Sequence, residues 1–171
     1  MRISGKVWKF GDDVDTDSIM PGAYSGLSYE EAAEHVMDGI SPGFSKKLQR
    51  GDIVVAGRNF GAGSSRESAP YGLSYAGVAA VIATSFGRIF FRNAINIGLP
   101  VLVCADAESI RLGDSIEVDV FSGVIRDLTQ GVEYRTSPLP THLLELLTAG
   151  GLVPYLEQRM AGGRDGGVFE S

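Results

Sequence analysis

The sequence has a single cysteine, Cys104, among 171 residues, and this scarcity excludes several kinds of chemistry. A lone thiol closes no disulfide within the chain, and alone it holds neither an iron–sulfur cluster nor a tetrahedral zinc ion. Basic residues are also in deficit, 15 Lys plus Arg against 21 Asp plus Glu, for a formal net charge of -6. Neither nucleic acid nor an anionic membrane surface is therefore an expected partner. No apolar run reaches the ~18 residues of a membrane helix, and the start, MRISGKVWKFGDDVDTD, lacks the basic and apolar blocks of a signal peptide. The expected location is cytoplasmic.

Glycine, by contrast, is abundant at 23 residues, without the fixed period of a collagen or a solenoid. These glycines are expected at turns and at close backbone approaches. With 44% hydrophobic residues the chain can bury one sizeable core, which fits a single domain over residues 1–157. The remainder, 158–171, is glycine-rich and poor in apolar residues, and is expected to be a flexible tail.

Hydrophobic patterning predicts alternating elements. Strands are expected at Ile3 to Phe10, Asp52 to Ala56, Val78 to Ala83 and Val101 to Cys104, the last three as continuous apolar runs of the buried type. Between them, SYEEAAEHVMDG predicts a helix with a capping box, Ser28 at the cap and Glu31 three residues on, stopped by Gly39. A second helix is expected around Tyr71 to Tyr75. A third carries Phe86, Ile89, Phe90, Asn93 and Ile97 and stops at Gly98-Leu99-Pro100. The pattern then changes: SIEVDV alternates cleanly and VIRDLTQG returns after Ser122-Gly123, predicting an antiparallel hairpin. THLLELLTAGG is expected to be the final helix. The predicted class is mixed α/β: a parallel sheet flanked by helices, with a β-rich flank.

The densest chemical signal is Asn59-Phe60-Gly61-Ala62-Gly63-Ser64-Ser65-Arg66-Glu67. Two spaced glycines permit a sharp turn after a strand, and the serines then fall where a helix is expected to begin, so that several N–H groups point outward together as an anion nest. Arg66 suits a carboxylate, which its planar fork can grip with two hydrogen bonds. The plainer alternative is a helix cap beside a surface arginine. No lysine follows the glycines in phosphate-loop spacing and the third glycine of a dinucleotide motif is missing. A serine hydrolase fits poorly, since GxSxG is absent and only His35 and His142 are available as bases.

Three segments, GDDVDTDSIMPGAY, GRNFGAGSSRESAP and TSFGRIFFRNAINIGLPVLV, stand in an order and spacing that resembles the 3-isopropylmalate dehydratase small-subunit family of the aconitase superfamily, over roughly residues 3 to 155. The resemblance implies a swivelling β/β/α domain like the C-terminal domain of aconitase, with a mixed sheet and flanking helices. It also implies a hydro-lyase that works only with a large subunit, as a heterodimer or heterotetramer, the [4Fe–4S] cluster being on that partner and no cofactor on this chain. The implied reaction dehydrates and rehydrates a branched hydroxy dicarboxylic acid, interconverting 2- and 3-isopropylmalate in leucine biosynthesis. Carried over by motif, Ser64 is the catalytic base, Ser65 and Arg66 bind the substrate carboxylate, and Asp17 orients Arg66 or the serine loop. The alternative for Asp15 and Asp17 is a solvated turn.

In such relatives the segment after the first motif sets substrate choice. Here Tyr24 and Leu27 lie in it, and no arginine occurs between Pro21 and Lys46. That suits an apolar substituent better than an additional carboxylate. Ser68 departs from the His or Gln that follows SSRE in many relatives. The alternatives are a related dehydratase of homoaconitase, dimethylmalate or citraconate type, and a non-catalytic carboxylate-binding or regulatory module.

Overall fold

In the computed structural model, which describes residues 1–162, the apolar runs form the parallel half of one sheet. The strands are β1 (Arg2–Lys9), β2 (Ile53–Ala56), β3 (Ala80–Ala83), β4 (Val101–Val103), β5 (Ser115–Asp119), β6 (Val124–Asp127) and β7 (Val132–Arg135). Their order across the sheet is β4-β3-β2-β1-β5-β6-β7. Every residue of β2 and β3 is fully buried. This is why these strands read as unbroken runs: helices or loops cover both faces of a parallel sheet, leaving no face for polar residues.

β1 joins the two halves. It pairs parallel with β2, Val7 opposite Ile53, and antiparallel with β5, Arg2 opposite Asp119. Gly5 lies where the chain of residues 51–52 crosses: a Cβ there would run into the Gly51 carbonyl and lie 3.1 Å from Asp52 Cα. In β5 the alternation of Ile116 and Val118, both buried, with exposed Glu117 shows a strand with one wet face. β7 adds an antiparallel strand beyond the expected hairpin, with Ile125 opposite Tyr134.

The helices are α1 (Thr16–Ile19), α2 (Tyr29–Ala33), α3 (Phe44–Lys47), α4 (Ser68–Ala76), α5 (Arg88–Asn96), α6 (Thr141–Ala149) and α7 (Leu152–Gly162). None of the described helices is long and apolar enough to cross a membrane. The capping box of α2 forms as expected, Ser28 Oγ accepting from the Glu31 N–H and Glu31 Oε2 from the Ser28 N–H, each at 3.2 Å. The helix is nevertheless shorter than expected. The Met37 N–H donates to the Ile19 carbonyl at 2.7 Å instead of continuing the helix, and Met37 adopts a left-handed φ of 64°. Val36 and Met37 still reach the core, because the tertiary hydrogen bond turns the chain without exposing them.

Two other expectations change. Phe86 precedes α5 and pairs with Phe60 in a parallel bridge, and Ile89 is 37% exposed; the buried side of α5 is Phe90, Ala94 and Ile95. The reason is the Gly87 N–H, which donates to the Phe60 carbonyl at 2.9 Å and delays the helix start. Second, α6 is followed by α7, so residues 158–162 of the expected tail are helical, while 163–171 lie outside the described residues. Gly151 permits the turn between the two helices, at φ 123° and against the Asn96 carbonyl, and the Tyr155 hydroxyl then donates to Glu145 on α6 at 3.3 Å.

Candidate active site

The loops that leave β1, β2 and β3 at their C-terminal ends run side by side, which is where open α/β sheets present ligand sites. The parallel pairing of β1 and β2 continues past both strands as a ladder. Gly57 N donates to the Gly11 carbonyl at 3.1 Å, Asp13 N to Arg58 at 2.8 Å, Gly61 N to Val14 at 2.7 Å and Thr16 N to Ala62 at 3.0 Å. Side chains reinforce it: Asn59 Nδ2 donates to Asp13 Oδ1 at 3.1 Å and the Arg58 N–H to Asp12 Oδ1 at 2.8 Å. That N–H, with help from the Arg58 guanidinium and against the cost of desolvation, holds the Asp12 carboxyl below the usual carboxylate range. On the other side Phe60 N donates to the Ser85 carbonyl at 3.1 Å. The β2 loop is thus clamped between its neighbours.

The clamp demands unusual backbone. Asp13 and Asn59 both have φ 57°, a left-handed region that Asp and Asn tolerate better than most residues, and Gly61 and Gly63 have φ 78° and 118°. Gly61 has a second reason to be glycine, since a Cβ would occupy the ring of Phe90.

What the clamp presents is Ser64, Ser65 and Arg66. Both serines are exposed, and Arg66 is half-buried. The helix expected to begin at the serines begins later, and the helix-cap alternative does not form: α4 begins at Ser68 with Glu67 at its N-cap, and that cap makes no side-chain hydrogen bond. The serines therefore precede the helix and belong to the loop. Ser64 Oγ lies 3.0 Å from Thr16 Oγ1. Arg66 Nη1 donates to Asp17 Oδ1 and, at 3.4 Å, to the Met20 carbonyl. Asp15 caps α1 by accepting from the Ser18 N–H at 2.7 Å, which points the following Thr16 and Asp17 at the serine loop. Both aspartates are exposed, as in a solvated turn, but each also has a partner, Asp15 as the cap of α1 and Asp17 on Arg66.

The other residues singled out lie in different surroundings. The Tyr24 ring stacks on His35, with centroids 3.9 Å apart and planes 2° apart. Leu27, 40% exposed, lines a shallow groove with Tyr29 and Tyr75. This segment approaches Arg66 at Gly22 instead, where a Cβ would lie 3.3 Å from Nη2. Ser68 is the half-buried first residue of α4. His35 pairs with Asp38 at 3.1 Å, and His142 is exposed near the start of α6. Cys104 is buried behind β4, and burial pushes its thiol up. No grouping of three or more His, Cys, Asp or Glu among the described residues is arranged to hold a metal ion. Thr16, Gly22 and the Met20 carbonyl escaped the sequence reading; the one clue was a small hydroxyl residue set between two aspartates.

This loop geometry has relatives. Residues 12–106, which contain the serine loop, match the aconitase C-terminal domain family. The chain belongs to that family. It is 53% identical over 160 residues to a 3-isopropylmalate dehydratase small subunit 2 of Archaeoglobus fulgidus, spanning 92% of this chain and 96% of that one. It is 55% identical over 155 residues to a methanogen homoaconitase small subunit of Methanothermobacter thermautotrophicus, spanning 90% and 89%. A crystal structure of 3-isopropylmalate dehydratase from Methanocaldococcus jannaschii superposes with TM-score 0.94 at 44% identity, over 98% of this chain and 100% of that chain. The aconitase C-terminal-like mixed fold expected from the motifs is the fold found.

Proposed function

We infer that this chain is the small subunit of a 3-isopropylmalate dehydratase, a hydro-lyase that interconverts 2- and 3-isopropylmalate in leucine biosynthesis together with a large subunit. The observation that carries the reading is that Ser64 and Ser65 stand exposed on a clamped loop, beside a half-buried Arg66 already held by Asp17. Such a site excludes water only when another surface closes over it, and an open serine loop has little catalytic value in bulk solvent.

In this reading Arg66 binds a substrate carboxylate through the nitrogens that Asp17 does not engage. Ser65 donates a further hydrogen bond to that carboxylate. Ser64 Oγ takes the proton from the carbon beside the carboxylate, the electron pair of the broken C–H bond forms the C=C bond, and the C–O bond of the neighbouring carbon breaks; the departing hydroxide and the abstracted proton together make up the water lost. Addition of water in the opposite orientation completes the isomerisation. With a single cysteine, which is buried, and no metal-holding group among the described residues, this chain is not the expected carrier of a [4Fe–4S] cluster. The cluster belongs to the large subunit, where it supplies the Lewis acid for the hydroxyl. The cytoplasm is the proposed location.

A second reading, a homoaconitase-type small subunit, is favoured by the 55% identity to the methanogen protein. The absence of arginine from Pro21 to Lys46 weighs against it, because an extra carboxylate set against Tyr24 and Leu27 would lack a cationic partner. A non-catalytic carboxylate-binding module would also use an arginine loop. The experiment is reconstitution with a three-cysteine aconitase-like large chain. Hydration of the isopropylmalate intermediate should appear only in the mixture. Activity of either chain alone, or a mixture without activity despite stable assembly, would overturn the reading.

A further inference from the structure

The geometry points to Thr16 as the positioning residue of Ser64, aiming its Oγ and donating to that oxygen when it carries negative charge. This inference rests on Ser64 being the base. Thr16 is 3% exposed, and its hydroxyl is directed at Ser64 Oγ, 3.0 Å away, across 48 residues of sequence. Its backbone is fixed at both ends: the N–H donates to the Ala62 carbonyl at 3.0 Å, and the carbonyl accepts from Met20 N at 2.8 Å. Two β-substituents further restrict its rotamer.

The serine loop is shaped to meet this hydroxyl. A Cβ on Gly63 would lie 3.2 Å from Thr16 Oγ1, and the φ of 118° at Gly63 is one that side chains rarely adopt. Glycine there lets the loop pass directly over the hydroxyl and set Ser64 against it.

A threonine hydroxyl has one proton and two lone pairs, so it can serve both states of its partner. While Ser64 is protonated, Ser64 donates to Thr16 Oγ1. When Ser64 acts as the base, Thr16 rotates its proton toward Oγ and stabilises the negative oxygen by a charge-assisted hydrogen bond. Ser64 gives up its own proton to solvent before the step, the substrate proton then ends on Ser64, and Thr16 keeps its own throughout. A valine at this position would match the shape and supply neither function.

The test uses the assembled enzyme with Thr16→Val, Thr16→Ser, Ser64→Ala and the Val/Ala double variant. Thr16→Val should lower kcat by about 100-fold, the size of one lost oxyanion donor, with KM changed only a few-fold. Because the base loses a donor to its charged form, the acidic limb of the kcat/KM profile should move to higher pH. Thr16→Ser should restore the limb and most of kcat, and the double variant should be no slower than Ser64→Ala. If Ser64→Ala is inactive while Thr16→Val keeps the wild-type kcat and limb, the Thr16 inference is wrong and Ser64 still stands as the base. If Ser64→Ala stays active, it is the Ser64 assignment that fails, and with it the inference. Should Thr16→Val not assemble, Thr16→Ala is compared with Thr16→Ser: a limb displaced only in the alanine variant supports the inference, and identical limbs overturn it.

Discussion

Arg66 reaches Asp17, 49 residues earlier in the chain, through Nη1 alone, so Nε and Nη2 take no protein partner among the described residues. The aspartate fixes the plane of the guanidinium while leaving an edge of it for a ligand. Arg66→Lys keeps the charge and loses the fork. We expect kcat/KM to fall roughly 10- to 100-fold, the equivalent of the ~1.5–3 kcal/mol of a hydrogen bond to a charged group. Asp17→Asn should cost less, because an amide oxygen still accepts from Nη1. Steady-state kinetics on the reconstituted enzyme check both, and an unchanged value for the lysine variant would place Arg66 outside the site.

Ser64→Ala should abolish turnover, by at least the ~100-fold of a lost general base, while folding and assembly persist. The stability loss should be about 1 kcal/mol, since Ser64 is exposed, caps no helix and gives up one hydrogen bond to Thr16. Thermal unfolding and size-exclusion chromatography with the large subunit separate the two effects. A normal kcat would show that the base lies elsewhere.

Substrate choice should respond to arginine placed in the Pro21 to Ser28 segment. A Cβ on Gly26 meets no heavy atom within 4 Å, and Leu27 is exposed, so Gly26→Arg and Leu27→Arg can be introduced without repacking. The expected outcome is a gain of ~1–3 kcal/mol in discrimination toward substrates with an additional carboxylate. Paired kcat/KM values for isopropylmalate and homoaconitate-type substrates measure it. An unmoved ratio in both variants would remove this segment from the substrate's variable arm.

Acid stability should depend on Asp114. Burial raises its carboxyl, but the Arg111 N–H, Gln130 and Asp127 hydrogen bonds and the Arg111 charge outweigh that, leaving it below the usual range. Its Oδ2 accepts from Arg111 N and Gln130 Nε2, both at 2.8 Å. A lowered carboxyl binds its proton less readily in the folded state than in the unfolded one. Its contribution is therefore fully present above the unfolded value near ~3.9 and is lost as pH falls toward the folded one. Denaturant titrations between about pH 5 and pH 3 should show a steeper loss in wild type than in Asp114→Asn. Parallel curves would mean that other groups govern the acid limb.

Sequence patterning disclosed the buried strands because nothing polar interrupts Ile53 to Ala56 or Ala80 to Ala83. It marked the serine loop as a candidate because three segments stand in the order and spacing of one family, where the short loop alone reads as well as a helix cap. It could not disclose contacts that only the parallel crossover creates. Met37 leaves the helical conformation for a hydrogen bond with Ile19, and Thr16 meets Ser64 only after β1 and β2 pair. Helix α7 was hidden for a different reason: its apolar residues Leu152, Val153, Leu156 and Met160 are all at least partly exposed, and the glycines of the following segment masked their spacing.

The central place of β1 also sets an order of events during synthesis. β1 leaves the ribosome ahead of both its partners and waits for Ile53 on one side and for residues up to Asp119 on the other before both its edges are paired. Thr16 and Asp17 hang from its end, so their half of the ladder waits as well. Such distant pairing makes folding slow and leaves the growing chain with an open strand edge. A nascent chain that stops before β5 would carry every chemical group of the serine loop and still have β1 unpaired on one side.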